Sequence, residues 1–377
     1  MARNRLDFAH WTMRGIYLSG ALLSFLVGPA HADDAKIKIG VILPITGPAS
    51  DGGNQEKRAL VLEVDQINAK GGLHGHQIEL LIEDNQAKPD LSVVAFNKLT
   101  SLDDVPVIVS GFSGPVLAMA PLATRKKVLL LNGGAQGDKL ADASPYLFNC
   151  LPLVQNELGA LATFAIQDLH TKTAAILFQN DAGGTPARDD FAAAYTKLGG
   201  QIVDMEGVPF DDSNFRAELA KIAAAKPDAV FAMITQNFPQ LAQQYLEQKL
   251  TFIRLANTNI NVPAAIGDPA TSGFYHTAFK LEAPPELNAA YKERYGFDME
   301  FYARQFYNAL SVVLKATDKV IADNQPVTGE NLRAALLAIG TFQGLSGPIV
   351  FKGNTAEMGI SIMQIQNGKD VPIKVMQ

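Results

Sequence analysis

One feature constrains this chain more than any other: a strand–helix alternation that runs, stops and runs again. Apolar, β-branched runs predict strands over 36–43, 77–84, 105–110 and 128–131, with helical runs over 53–70, 89–101 and 115–125 between them. In the first helical run Leu60, Val64 and Ile67 fall at i, i+4 and i+7, and Gly71 and Gly72 end it. Pro89 opens the next run, where a missing N–H costs nothing. The second series starts beyond Leu151 and Pro152. It predicts helices over 156–169, 188–198, 215–225 and 238–249 and strands over 173–179, 201–208 and 229–234. Phe215, Leu219, Ile222 and Ala223 share one face of its third helix, with Asp212 or Ser213 as the cap. Repeated βα units imply parallel strands with helices on both faces of a sheet. Two such series imply two lobes.

The last hundred residues follow a different pattern. Helical periodicity predicts helices over 286–295, 303–321 and 330–339, followed by three short strand-like runs near 349–351, 360–365 and 371–375. Helices added to one lobe and strands to the other make the chain cross between lobes three times, and several linkers beside a cleft form a hinge. The expected division is a leader over 1–32, a first lobe over 33–152 plus 280–347, and a second over 153–279 plus 348–377.

The leader has Arg3, Arg5 and Arg14, then an apolar run from Gly15 to Val27, then Ala30-His31-Ala32. That order of charge, apolar run and small residues predicts a cleaved secretory signal peptide. The apolar run is shorter than a bilayer requires. Its removal takes away a net charge of +2 and turns −6 into about −8. So acidic a chain is a poor partner for nucleic acid or an anionic membrane surface, and suits an exported protein that stays monomeric and mobile. Cys150 is the single cysteine, so no internal disulfide exists, and its apolar neighbours suggest a small buried hydrophobe.

Enzyme signatures are mostly missing. Neither a P-loop nor a G-x-G-x-x-G fingerprint occurs, so no nucleotide cofactor is expected. His74-Gly75-His76 is a close histidine pair, but a metal site wants more ligands than two. The segment from Gly111 to Pro115 follows a strand and precedes a helix, as a nucleophile elbow does, yet Pro115 stands where the elbow needs glycine. Ser113 fits a different role. The start of a helix attracts anions through free N–H groups and the helix dipole, and ligands of open α/β sheets sit at strand carboxyl ends. The same placement holds for the loops 132–136, 181–185, 235–237 and 257–259. These residue types also suit ordinary turns; what favours binding is the repetition of polar tips in two facing lobes. The candidate ligand residues are Ser113, Gly114, Asn132, Gly134, Ala135, Gln136, Thr185, Thr235, Gln236 and Thr258, with no catalytic or metal-binding residue.

These residues carry a likeness. The mature chain resembles, along nearly all its length, the branched-chain amino-acid-binding type of periplasmic protein, with a type I two-lobed fold. The stretch from Ile39 to Pro48 is similar to that family's first strand and loop, and the run from Ile67 to Gly75 (INAKGGLHG) resembles its most specific turn. Residues 83–89 and the run from Phe342 to Phe351 resemble later family segments. The resemblance implies capture of a small solute and delivery to an inner-membrane ABC permease, without catalysis. It carries Ser113 onto the serine that binds a ligand carboxylate, and Gly134 and Ala135 onto an alanine–threonine pair whose threonine is missing or displaced. Gly52, Thr185 and either Thr235 or Gln236 fall where the family has aromatics, and Thr258 near the acid that pairs with the ligand's ammonium.

A buried ammonium without a carboxylate costs several kcal/mol, and no acid occupies 255–261. The expected ligand is therefore a carboxylate without an α-amine, aromatic or otherwise bulky. A branched-chain amino-acid receptor, a ligand sensor for a membrane receptor, and a serine hydrolase using Ser113 are the rivals.

Overall fold

The computed structural model describes residues 36–376, so the expected leader lies outside the described residues. The first lobe begins β1 (Ile37–Leu43), α1 (Ser50–Asn68), β2 (Ile78–Asp84), α2 (Pro89–Ser101), β3 (Val107–Ser110), α3 (Ser113–Lys126), β4 (Leu129–Asn132) and β5 (Leu147–Asn149). The second follows with α4 (Val154–Gln167), β6 (Thr173–Gln179), α5 (Gly184–Lys197), β7 (Gln201–Val208), α6 (Arg216–Ala225), β8 (Ala229–Met233), α7 (Phe238–Glu247), β9 (Ile253–Ala256), α8 (Pro263–Ile266) and β10 (Tyr275–Phe279). The chain then returns for α9 (Pro285–Tyr295), α10 (Phe301–Ala322), α11 (Gly329–Ile339), β11 (Thr341–Gly344), β12 (Gly347–Lys352) and β13 (Thr355–Glu357), and ends with β14 (Ile360–Gln366) and β15 (Lys369–Met376).

The strands form two sheets, ordered β11-β12-β13-β5-β4-β3-β1-β2 and β15-β14-β10-β9-β8-β6-β7. The βα portion of each is parallel, as the buried, non-alternating strands require. Each sheet is mixed rather than purely parallel, because β11–β13 and β14–β15 add antiparallel pairs at one edge. Apolar clusters fill both faces of each sheet, and α10 and α11 pack into the first lobe through Phe306, Leu310, Val313 and Leu332.

The chain crosses between lobes three times, after β5, after β10 and between β13 and β14. The last crossing departs from the expected division at 348. Antiparallel pairing of Phe342 with Ile349 and of Phe351 with Ala356 holds 348–357 in the first sheet, with Phe342, Ile349 and Ala356 buried there. The crossing therefore falls at Met358 and Gly359. Leu151, Phe279, Leu281 and Ile360, from the three crossings, pack with Phe301 in a small apolar cluster, which ties the linkers into one hinge.

Several helices start earlier than the sequence suggested, among them two that border the cleft. α3 begins at Ser113 rather than 115, and α5 at Gly184 rather than 188. Pro115 and Pro186 stand in their first turns, where proline is tolerated because those N–H groups have no intrahelical acceptor. Glycine sets how tightly such starts press on the preceding strand. A Cβ at Gly53 would lie 2.0 Å from the Pro44 carbonyl oxygen, and one at Gly184 would lie 2.0 Å from that of Gln179.

Cys150 is buried among apolar groups, and burial pushes its thiol far above the ordinary range. Gly184→Ala should lower stability by about 1–3 kcal/mol, since backbone must move to admit the methyl. Gly159→Ala, where an added Cβ meets nothing within 4 Å inside α4, should be neutral or stabilising. Thermal denaturation of the two variants checks the contrast.

Candidate functional site

The carboxyl ends of both sheets face one cavity of about 470 Å³. The first lobe contributes Phe112, Ser113 and Gly114 at the start of α3, the loop from Gly134 to Gly137, Gln86–Pro89, and Glu56 and Tyr302 from α1 and α10. The second contributes Gln179, the loop from Asp181 to Gly184, Phe210, Asp211, Met233, Thr235 and Asn259. A Cβ built on Gly137 would lie 3.0 Å from Ser113 Oγ and 3.1 Å from the Ala182 carbonyl oxygen across the cleft. The lobes thus approach closely where Gly137 and Gly183 have no side chain to intervene. Phe112 and Phe210 extend that meeting as an edge-on pair, with ring centroids 6.4 Å apart.

Ser113 Oγ accepts the Gly137 N–H at 3.2 Å, which leaves its own proton free to donate. The first N–H groups of α3, those of Ser113 and Gly114, lie outside the helix ladder. Phe112 precedes them with φ of +67°, a strained value for a bulky residue that turns the chain sharply from β3 into α3. Asn132 is wholly buried rather than on the wall. Its Oδ1 accepts the N–H groups of Gly134 and Ala135 and its Nδ2 donates to the Ala135 carbonyl, so it shapes the loop that Gly134 and Ala135 present.

Other candidate residues have other surroundings. Gln136 lines the cavity, yet its amide donates to Glu157 Oε2 at 2.9 Å and to the Pro152 carbonyl at 3.1 Å, tying the first lobe's loop to the start of α4. Thr235 is on the wall and donates to Gln179 Oε1 at 2.7 Å. Gln236 borders an adjoining cavity with Gly52 and Tyr302. Thr185 is within the first turn of α5 and outside the cavity lining, because that helix starts at Gly184. Thr258 is buried behind the wall, its N–H donating to Glu157 Oε1 at 2.6 Å. Burial raises Glu157, and hydrogen bonds from Thr277, Thr258 and Gln136 oppose that rise.

Sequence reasoning missed the aromatics Phe112, Phe210 and Tyr302 and the acids Glu56 and Asp211, and placed Asp181 only within a candidate loop. Stretch 255–261 lacks an acid, but the cleft does not. Asp181 Oδ1 accepts the N–H groups of Gly183 and Gly184 at 2.9 and 2.7 Å, fixing the start of α5. The side chain of His276, one of the two histidines that follow Ser113 in the chain, is away from the cavity and meets Asp370 at 2.8 Å. His170 is likewise absent from the cavity lining, so among the described residues no imidazole lines the cavity beside Ser113. Among the described residues no group of three or more His, Cys, Asp or Glu is placed to hold a metal. No described helix is long and apolar enough to cross a membrane.

A model of the periplasmic binding protein family matches residues 36–370. The chain belongs to that family of periplasmic binding proteins. It is 24% identical over 372 residues to Leu/Ile/Val-binding protein homolog 1 of Brucella abortus, covering 95% of this chain and 98% of that one. A leucine-binding protein from Thermotoga maritima shares the fold with a TM-score of 0.82 at 22% identity, over 90% of this chain and 99% of the other. A solute-binding protein of an ABC transporter from Rhodopseudomonas palustris, in complex with 3,4-dihydroxybenzoic acid, gives a TM-score of 0.81 at 24% identity, over 91% and 97%. The relatives named for Leu/Ile/Val binding and the leucine-binding fold neighbour are of the branched-chain amino-acid-binding type, and the family is one of solute binders rather than enzymes.

A further contact between the lobes of this binding protein is electrostatic. Asp138, just after the Gly134–Gly137 loop, faces Asp190 of α5, and each has a buried carboxylate oxygen without a donor. Burial, then Asp138, then Asp189 push Asp190 up to about 7. Its folded value is raised, so the contact is tolerated while Asp190 is protonated and becomes repulsive as pH climbs through about 7. The stability lost to this raised value accrues as pH rises from about 4 to about 7, so Asp190→Asn should melt a few degrees higher than the wild type at pH 8 and by a clearly smaller margin at pH 5. Equal melting at both pH values would refute the repulsion.

Proposed function

We propose that this protein captures a small organic carboxylate, aromatic or branched, between its lobes in the periplasm and delivers it to an inner-membrane ABC permease. One observation carries the ligand class. The unpaired N–H groups at the start of α3 and the Ser113 hydroxyl adjoin walls made by Phe112, Phe210, Val154 and Met233. A carboxylate suits the first, and an apolar or aromatic body suits the second. Closure removes water and strengthens each hydrogen bond inside. Ligand favours the closed form by contacts that only both lobes together provide. The related Rhodopseudomonas palustris protein with its bound dihydroxybenzoic acid supports this reading.

A branched-chain amino acid is the second reading, favoured by Asp181 on the wall, which offers a carboxylate for an ammonium. Calorimetric titration with benzoate and with leucine separates the two. Benzoate should bind at least tenfold more tightly, and leucine binding more tightly than benzoate would overturn the proposal. Ser113→Ala should weaken benzoate binding by roughly 10- to 100-fold, the loss of a hydrogen bond to a charged group of about 1.5–3 kcal/mol.

A further inference from the structure

Four polar side-chain atoms on the packed helices α1 and α10 have no partner: Gln55 Oε1, Glu56 Oε2, the Tyr302 hydroxyl and Gln305 Oε1. Gln55, Glu56 and Gln305 are 8%, 3% and 3% exposed. Buried polar atoms in folded proteins almost always have partners, and leaving one alone costs about 1–3 kcal/mol. Four unpaired atoms on one pair of helices therefore ask for an explanation that the fold does not supply. Glu56 and Tyr302 line the cavity itself. Gln305 borders the candidate carboxylate loop, since a Cβ on Gly134 would lie 3.4 Å from its Oε1.

The charge state of this cluster follows from its surroundings. Burial alone pushes Glu56 up to about 8, so at neutral pH its carboxyl is mostly uncharged. Burial, and then the nearby Glu56, push Tyr302 above the ordinary phenol range. No ion pair involves Glu56 among the described residues. The cluster therefore presents hydroxyl donors, on Tyr302 and on protonated Glu56, beside carbonyl acceptors on Gln55 and Gln305. A group that both gives and takes a hydrogen bond, without charge, satisfies such a set.

We infer that Glu56 and Tyr302 form a second polar subsite in the cleft, which takes an uncharged hydroxyl group carried by the ligand. This rests on the carboxylate reading and narrows it to hydroxylated carboxylates. The carboxylate meets α3 in the first lobe, and the hydroxyl meets α1 and α10, before the second lobe closes over both. A neutral carboxyl should be replaceable by a neutral amide, whereas an ionised one that holds an ammonium should not.

Calorimetry with benzoate and the three monohydroxybenzoates tests the assignment on the whole protein. At least one hydroxybenzoate should bind tenfold or more tightly than benzoate. Glu56→Gln should keep most of that preference, while Glu56→Leu and Tyr302→Phe should each reduce it to about threefold or less, read as the ratio of hydroxybenzoate to benzoate affinity within each variant. Melting curves establish that each variant is folded, and Tyr302→Phe gives an independent reading should Glu56→Leu not fold. Benzoate binding without any hydroxyl preference, or a preference that survives Glu56→Leu or Tyr302→Phe, overturns the subsite alone. Failure of every benzoate to bind overturns the carboxylate reading, and the subsite falls with it.

Discussion

The cleft depends on how closely each lobe's leading helix is pressed onto the strand before it. Gly53 and Gly184 stand at that contact after the first βα strand of each lobe, where the carbonyl oxygens of Pro44 and Gln179 leave no room for a Cβ. With the helix start held so near, the strand tips and the first-turn N–H groups point into the same space. Two mixed sheets whose βα portions are parallel, set with their carboxyl ends toward one another, wall a cavity with loops rather than with sheet surface. The ligand chemistry proposed for the cavity then follows from which loop residues stand at those tips.

The hinge has its own economy of contacts. Three crossings bundled by Leu151, Phe279, Leu281 and Ile360 let the lobes move together without independent fraying. Gln136 and Glu157 join the candidate carboxylate loop to the start of α4, so occupation of that loop and the position of the second lobe are mechanically connected. Opposed to these ties stands the Asp138–Asp190 contact, where two acids are brought together. A receptor that must both grip and release is served by attraction near the hinge and repulsion at the lobe contact.

Much of the architecture was legible because buried parallel strands leave continuous apolar runs; β3 and β4 are buried at every position. The course of 348–357 was not, because short strands in a hairpin look alike whichever sheet they join, and only their pairing partners decide it. Ser113, Gly114, Gly134, Ala135, Gln136 and Thr235 could be found on the cavity wall by their place at strand ends. Thr185 and Thr258 were misplaced by a shifted helix start and by a residue turned inward. Glu56 and Tyr302 carry no local signal at all. They sit on helices far apart in sequence, and what marks them is burial without partners, a property that exists only after folding.

The central claim is that both lobes grip one carboxylate-bearing ligand in the shared cavity. A crystal structure with the tightest-binding hydroxybenzoate tests it most directly. The account predicts the carboxylate within hydrogen-bonding distance of Ser113 and the start of α3, the hydroxyl beside Glu56 and Tyr302, and Phe210 or Thr235 of the second lobe in contact with the ring. A ligand bound outside this cavity, in the groove beside the crossings at Pro152, Lys280 and Met358, or touching one lobe only, would contradict it.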